Sequence, residues 1–308
     1  MLSNRTCWIM MCIMFTFCVA LLACTLGMLK LGNIGLEKFD ASPQKKNAIV
    51  VLTKGYGTLD EYQLLLRRNQ AIYDNFYSLL PDKSNIDVVI FHEGNISQDH
   101  QDHIQNATQL MPMVFKIVTF LTPAIEQANA FCYSTELSEQ FSVGYKNMCR
   151  FWSVGIFEHM AQYEYVIRID EDCILETMDA SVLTKYSGSG IMFASPSWIG
   201  EDTSDVIIGM HEFFRNYQMD LQRSVPNPYT NFMIINVPYF AAHQEIQRCL
   251  ADVDRTNCIF VNRWGDMPLW GYILAVFVTN RGENKILLED KDISYYHGSH
   301  DAKVNAGS

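Results

Sequence analysis

The chain has 308 residues, 49% of them hydrophobic, with 23 Lys and Arg against 34 Asp and Glu for a formal net charge of −11. Residues 1–30 hold two basic side chains, Arg5 and Lys30, and no acid, so the rest carries 21 basic against 34 acidic groups, a net charge of −13. A body that acidic excludes nucleic acid and anionic headgroups as partners but not neutral polyols such as sugars, and the length gives room for one large domain with a sizeable core.

The first predicted element is a membrane span. From Cys7 to Leu29 the run CWIMMCIMFTFCVALLACTLGML has no charge, no proline and one late glycine. As a helix rising about 1.5 Å per residue it crosses a hydrocarbon layer roughly 30 Å thick. A cleaved secretory signal has a shorter apolar core of about 7–15 residues; VALLACT mimics its cleavage site, and an uncleaved signal-anchor is the reading adopted. Residues 1–6 then form a cytoplasmic tail, and 30–46, polar and punctuated by Gly and Pro, a short stem. Flanking charge hardly sets the orientation. The sequons at Asn95 and Asn106 do more, because they lie beyond the span and would be glycosylated only in a secretory lumen. A single-pass type II protein with residues 47–308 luminal is expected. Four of the nine cysteines lie in the span; Cys132, Cys149, Cys173, Cys249 and Cys258 remain, with no CxxC pair for a zinc cluster. In an oxidising lumen Cys249 and Cys258 could close a short loop, and the odd count leaves at least one thiol.

The body opens with NAIVVLTKG (Asn47–Gly55), a continuous β-branched run of the kind parallel sheets bury. LDEYQLLLRRNQAIYDNFYSLL follows at helical spacing, then a second buried strand, NIDVVIFHEG (Asn85–Gly94), which together make a right-handed βαβ unit. Met113–Phe120 is a third strand candidate. SVGYKNMCRFWSVGIFEHM reads as a helix with Tyr145, Cys149, Trp152 and Ile156 on one face and Lys146, Arg150 and Glu158 off it. It leads into YEYVIRIDEDCIL (Tyr163–Leu175), read as a strand carrying three consecutive acids at its end. Strands at Gly190–Ser195 and Asn231–Phe240, a helical stretch near Val206–Leu221, and the closing segments RWGDMPLWGYILAVFV and KILLEDKDISYYHGSH complete one α/β domain.

Asp170, Glu171 and Asp172 are what a buried strand avoids, because unpaired buried carboxylates are costly. In an extended chain Asp170 and Asp172 point one way and Glu171 the other. Two carboxylates on one side are held together by a cation, and hard oxygen ligands select Mg²⁺ or Mn²⁺, which keep positions open for phosphate oxygens. A solvated acidic turn is the alternative. Ligands of open α/β sheets collect beyond the carboxyl ends of strands, where this triplet lies.

The stretch GYKNMCRF…YEYVIRIDED resembles the fungal α-1,2-mannosyltransferases (glycosyltransferase family 15), with their Y-R-x-M-x-R-F helix leading to a W-R-x-E-P-D strand. RWGDMPLWGYILAVF and EDKDISYYHGSH look like that family's R-W-G-D-A-P and E-D-I-G-Y-Y-H segments. The resemblance runs from about Asn47 to His300. It implies a type II Golgi enzyme with a GT-A-type, Rossmann-like mixed sheet flanked by helices. Such an enzyme moves mannose from GDP-mannose to a glycan or glycoprotein acceptor with Mn²⁺ or Mg²⁺. Carried over, Asp170 and His297 are the metal ligands, Asp172 binds metal or ribose, Tyr145 and Arg150 face the donor, and Asp266 is the sugar-side catalytic aspartate. Two departures stand out: Glu171 replaces the family's proline, and Met233 falls where the family has a glutamate considered for the nucleophile role.

Each residue also has a plainer reading. His297 could be a hydrogen-bonded structural histidine, Asp266 the N-cap of an apolar helix, Tyr145 a buried packing residue, and Arg150 half of a surface ion pair. Trp264 and Trp270 could stack on a sugar or base face, and core packing is the plainer reading. A GT-A transferase using a UDP-sugar is a rival enzyme, and a glycan-binding or scaffolding protein on a decayed transferase fold is a rival of another class, motivated by Met233.

Overall fold

The computed structural model describes residues 45–120, 130–200, 205–222, 225–279, 282, 285–288, 290–298 and 302–305. The expected cytoplasmic tail and membrane span, and residues 30–44 of the stem, lie outside them; among the described residues no helix is long and apolar enough to cross a membrane.

The β-branched runs become the middle of a sheet whose two faces are both covered, which is why they need no polar alternation. β1 (Lys46–Leu52), with Ala48 to Val51 fully buried, feeds helix α1 (Gln63–Asn75) and returns as β2 (Ile86–His92), parallel to β1 with Val50 opposite Val89. Helix α2 (Gln98–Ala107), capped by the Ser97 hydroxyl, leads to β3 (Met113–Ile117), parallel to β2. Helix α3 (Val143–Arg150), capped by Ser142, passes through a π-helical turn at Phe151–Gly155 into α4 (Ile156–Met160). Tyr145 is half-buried there, while Cys149, Trp152 and Ile156 are fully buried as expected. Lys146, placed off that face by its spacing, is buried too, because its ammonium donates to the Phe260 carbonyl at 2.8 Å.

β4 (Tyr163–Ile169) lies beside β1, parallel to it, and ends directly before the three acids, as expected. The chain turns at Asp170–Cys173 and leaves as β5 (Cys173–Met178) for a different sheet. Helix α5 (Val182–Ser189) returns it to β6 (Phe193–Ser195), followed by β7 (Trp198–Ile199), helix α6 (Met210–Arg215) and β8 (Asn227–Pro228), which pairs with β7. β9 (Phe232–Asn236) runs antiparallel to both β4 and β6. Three helices, α7 (Val237–Ala242), α8 (Gln244–Thr256) and α9 (Cys258–Val261), precede the buried α10 (Asp266–Phe277). β10 (Ile286–Leu288) completes a seven-stranded sheet ordered β10-β6-β9-β4-β1-β2-β3. β11 (Ile293–His297) joins β5 and β12 (Ala302–Asn305) in a second, antiparallel sheet.

The core follows the alternation of the strands. Val50, Val166 and Met233 point to one face and pack with Trp152, Trp264 and Trp270, all three buried to 1% exposure or less. Ile49, Ile167 and Ile234 point to the other, against Ile72 and Phe76 of α1 and its continuation and against Leu175 and Tyr295 of the second sheet. Each such side chain contributes roughly 1.5–3 kcal/mol on burial. Both tryptophans of the RWGDMPLW segment are core residues, their indole N–H groups satisfied by the carbonyls of Ile208 and Trp152.

The Cys249–Cys258 loop that the spacing allowed does not form. Cys258 is bonded to Cys132, 126 residues away, with their Cα atoms 5.9 Å apart, inside the span a disulfide requires. Cys149, Cys173 and Cys249 are buried thiols.

Candidate active site

The acids occupy the point where one sheet hands the chain to the other. The Cys173 N–H donates to the Asp170 carbonyl at 3.1 Å, and Asp170 N–H is held by the Asn231 carbonyl at 2.9 Å, so residues 170–173 form a tight turn. The extended geometry expected for the triplet is therefore absent, and its three carboxylates go to three different partners.

Asp170 is gripped by Arg168, two residues back on β4. The guanidinium donates from Nε at 2.7 Å and from Nη2 at 2.8 Å, a two-pronged pairing of the kind Arg favours with carboxylates. Its third nitrogen, Nη1, reaches Asp266 Oδ2 at 2.5 Å, and the ring of Trp152 lies 4.4 Å beneath it. Arg168 is a charged residue on a buried strand, its side chain 3% exposed, and two carboxylates and an indole face compensate its burial. Burial raises the Asp170 carboxyl above its usual range, with the Arg168 attraction opposing and the neighbouring acids Asp266 and Asp172 adding to the rise. Below the turn a second buried arginine, Arg68 of α1, donates to the carbonyls of Ile169 and Val50 at 2.9 and 3.1 Å. Burial lowers its pKa to about 10.

Asp266 is the first residue of α10, with Gly265 as N-cap, so the expected capping role is not the one it plays. Its Oδ2 accepts from Thr230 Oγ1 at 2.8 Å as well as from Arg168. The N-terminus of a long helix favours a carboxylate there.

Asp172 belongs with His297. β11 runs antiparallel to β5 with His297 opposite Cys173, and the Gly298 N–H donates to the Asp172 carbonyl at 2.9 Å. This register brings His297 Nε2 to 3.2 Å from Asp172 Oδ2. The other ring nitrogen, Nδ1, is 3.0 Å from the Tyr229 hydroxyl, which fixes the ring plane. With Cys173 Sγ, these donor atoms lie within 4.8 Å of one another, a group that could hold a metal ion. Glu171 turns toward the end of β1, where its carboxylate accepts from Thr53 Oγ1 at 2.5 Å and from the Tyr56 hydroxyl at 2.6 Å.

Of the remaining sequence candidates, Tyr145 is drawn toward the site and Arg150 is not. The Tyr145 hydroxyl accepts from Arg263 Nη2 at 2.5 Å, and burial pushes its pKa up to about 12. Tyr145 also lines a cavity of about 310 Å³ with Leu52, Thr53, Lys54, Glu93 and Met148, at the C-terminal ends of β1 and β2. Arg150 is engaged elsewhere, forked onto Asp254 of α8 at 2.6 and 2.7 Å. A larger cavity, about 490 Å³ and lined by Phe131, Tyr217, Arg248 and Asp252 among others, involves none of the acids of the turn.

Sequence reasoning passed over Arg168, Thr230, Glu171's partners and Arg263. Arg168 had a signal, a lone charge inside VIRI, since such a charge is buried only when paired. Arg263 opens the quoted RWGD segment. Its backbone sits at φ 91°, a conformation that is costly for a side-chain-bearing residue. Its guanidinium lies 4.3 Å from the Phe141 ring and 5.1 Å from that of Tyr145.

No family model matches the chain, and no curated protein matches it at the significance required. Solved structures do. Core-mannan synthase A (CmsA/Ktr4) from Aspergillus fumigatus, in its Mn/GDP form, superimposes with a TM-score of 0.63 at 17% identity, covering 83% of this chain and 76% of that one. The mannosyltransferase Ktr4p from S. cerevisiae gives 0.63 at 16% identity, covering 82% and 70%. Its complex with GDP gives the same score at 14%, covering 82% and 71%. At these identities the likeness establishes architecture: the chain has the mixed α/β, GT-A-like fold of these glycosyltransferases, a mostly parallel central sheet flanked by helices, with its acidic turn at the exit of β4.

Proposed function

We propose that the protein is a metal-dependent glycosyltransferase that moves mannose from GDP-mannose to a glycan or glycoprotein acceptor. The observation that carries this reading is the Asp172–His297 pair, 3.2 Å apart just past the carboxyl end of a central strand, in the fold of mannosyltransferases solved with Mn and GDP. A carboxylate and an imidazole suit Mn²⁺, and the ring is held by Tyr229 on its far nitrogen as ligating histidines usually are. The residues present fit such an ion, and Asp172 and His297 would hold it. When bound, it would offset the charge that develops on the departing diphosphate.

The remaining work falls to side chains. Tyr145, Thr53 and Lys54 wall the cavity proposed for the nucleotide. Arg168 and Thr230 occupy Oδ2 of Asp266 and fix that carboxylate, leaving Oδ1 to accept from the attacking hydroxyl. Asp170, spent on Arg168, serves to keep the guanidinium in place. Met233 brings no carboxylate to the sugar, so attack from the same face as the departing diphosphate suits this site better than a covalent intermediate on residue 233. The proposal includes the type II Golgi topology, supported by the apolar run at Cys7–Leu29 and by the exposed positions of Asn95 and Asn106.

Donor-screened nucleotide release tests the activity. GDP-mannose with Mn²⁺ should give GDP, UDP-sugars should give no UDP, and Asp172→Asn and His297→Ala should each lower turnover by at least about a hundredfold. The buried Met233 favours a second reading, a glycan-binding protein on a transferase fold. Sugar binding with no Mn²⁺-dependent nucleotide release would establish that reading instead. Endoglycosidase-sensitive mobility, lost in an Asn95→Gln, Asn106→Gln double variant, tests the luminal placement.

A further inference from the structure

We propose that Glu171 is a positioning residue that latches the loop after β1 against the nucleotide cavity; the cavity's part in this rests on the donor reading given above. The loop begins at Thr53, and its path is set from two sides. On one side Gly55 passes so close to Asn95 that a Cβ there would lie 2.1 Å from the Asn95 carbonyl oxygen. On the other, both hydroxyls that flank Lys54 and Gly55, those of Thr53 and Tyr56, donate to the single carboxylate of Glu171, at 2.5 and 2.6 Å. The two donors converge on the two oxygens of one side chain, and Thr53 is itself 5% exposed. Burial, reinforced by Glu171, keeps the Tyr56 phenol protonated and so able to donate.

Between the two anchored residues sits Lys54, its ammonium 4.9 Å from the Tyr56 ring, and Lys54 and Thr53 line the cavity together with Tyr145. The latch thus sets where a cation and a hydroxyl stand on the cavity wall. It also ties the loop to the same turn that carries Asp172, so the cavity and the Asp172–His297 pair are fixed relative to one another by one residue. A proline at position 171, as in the motif this segment resembles, has no side-chain acceptor, so the latch depends on the glutamate this chain carries there.

The test uses the full-length protein and two readouts. Backbone amide exchange over residues 53–58 should rise at least about tenfold in Glu171→Ala, with the rest of the domain unchanged. The KM for GDP-mannose should rise about tenfold while kcat stays within about threefold. Glu171→Gln, whose amide oxygen can accept from only one of the two hydroxyls, should fall between wild type and Ala. A Thr53→Val, Tyr56→Phe double variant, which keeps the carboxylate, should reproduce the Ala result. Unchanged exchange at 53–58 in both Glu171→Ala and the double variant would overturn the latch, as would a loosened loop with an unchanged KM. Should wild type neither bind GDP with Mn²⁺ nor turn over GDP-mannose, the donor reading falls, and the exchange measurement still decides whether Glu171 holds the loop.

Discussion

Arg168 and Met233 are direct partners across the antiparallel pair of β4 and β9, both almost completely buried. The guanidinium already has Asp170, Asp266 and the Trp152 face, and the Met148 thioether lies 3.8 Å from its Nη2. A third acid at 233 would have no cation of its own. Met233→Glu should cost about 2–4 kcal/mol in urea unfolding, and Met233→Leu under about 1.5 kcal/mol, because one buries an uncompensated charge and the other conserves volume.

Removing the arginine should do more damage. Arg168→Met leaves two carboxylates near one another without their shared partner and should cost about 3–5 kcal/mol at neutral pH. The sign of its pH dependence follows from Asp170. Burial raises that carboxyl above its unfolded value, so the group favours the native state at low pH and loses this contribution as pH rises through its folded pKa. Without the opposing attraction of Arg168 the rise is larger, and the variant's deficit relative to wild type should widen between about pH 4 and pH 7. Denaturation midpoints across that range check it; a deficit that narrows with pH would contradict the assignment.

Thermal shift with Mn²⁺ separates the Asp172–His297 pair from Arg150. At about a hundredfold excess over the dissociation constant an ion that binds only the folded state contributes about 2.7 kcal/mol. That shift should vanish in Asp172→Asn and His297→Ala, which face each other at 3.2 Å. It should persist in Arg150→Ala, whose guanidinium is forked onto Asp254. Loss of the shift in Arg150→Ala would place that residue nearer the site than α8 allows.

Non-reducing peptide mapping should recover Cys132 linked to Cys258, with Cys149, Cys173 and Cys249 alkylated only after unfolding. Cys132→Ser should lower stability by about 2–5 kcal/mol, since the bond closes a long loop in the unfolded chain. Cys249→Ser should change it by far less than that.

How much of this was legible beforehand depends on whether the deciding contact is local. The β1-α1-β2 unit was readable because hydrophobic runs, helical spacing and the crossover are all properties of neighbouring residues. That β4 gives out at the acids was readable too, but the course of the chain after them was not, because β5 leaves the main sheet to pair with β11, more than a hundred residues later. The same separation hid which acid would meet His297. The motif pointed to Asp170, whereas Asp170 is bound by Arg168 and it is Asp172 that lies beside the imidazole. Cys258 chose Cys132 over the nearby Cys249 for a similar reason: the fold, not spacing, brought their Cα atoms to 5.9 Å. Asp266 was recognised as a helix-start residue, but the cap fell one position earlier because Arg168 and Thr230 recruit its carboxylate.

The two-sheet construction has a mechanical consequence. His297 rides on the small antiparallel sheet and Asp172 on the turn that enters it, while Arg168 and Asp266 are built into the large body. The segment from Asp170 to Cys173 is one short joint between them, the passage from β10 to β11 being another. A slight rocking of the small sheet would change the spacing between cation seat and acceptor-side acid without disturbing the geometry inside either half. Alignment of the two halves, rather than the make-up of either, is thus the quantity that a bulky substitution in this four-residue joint would spoil.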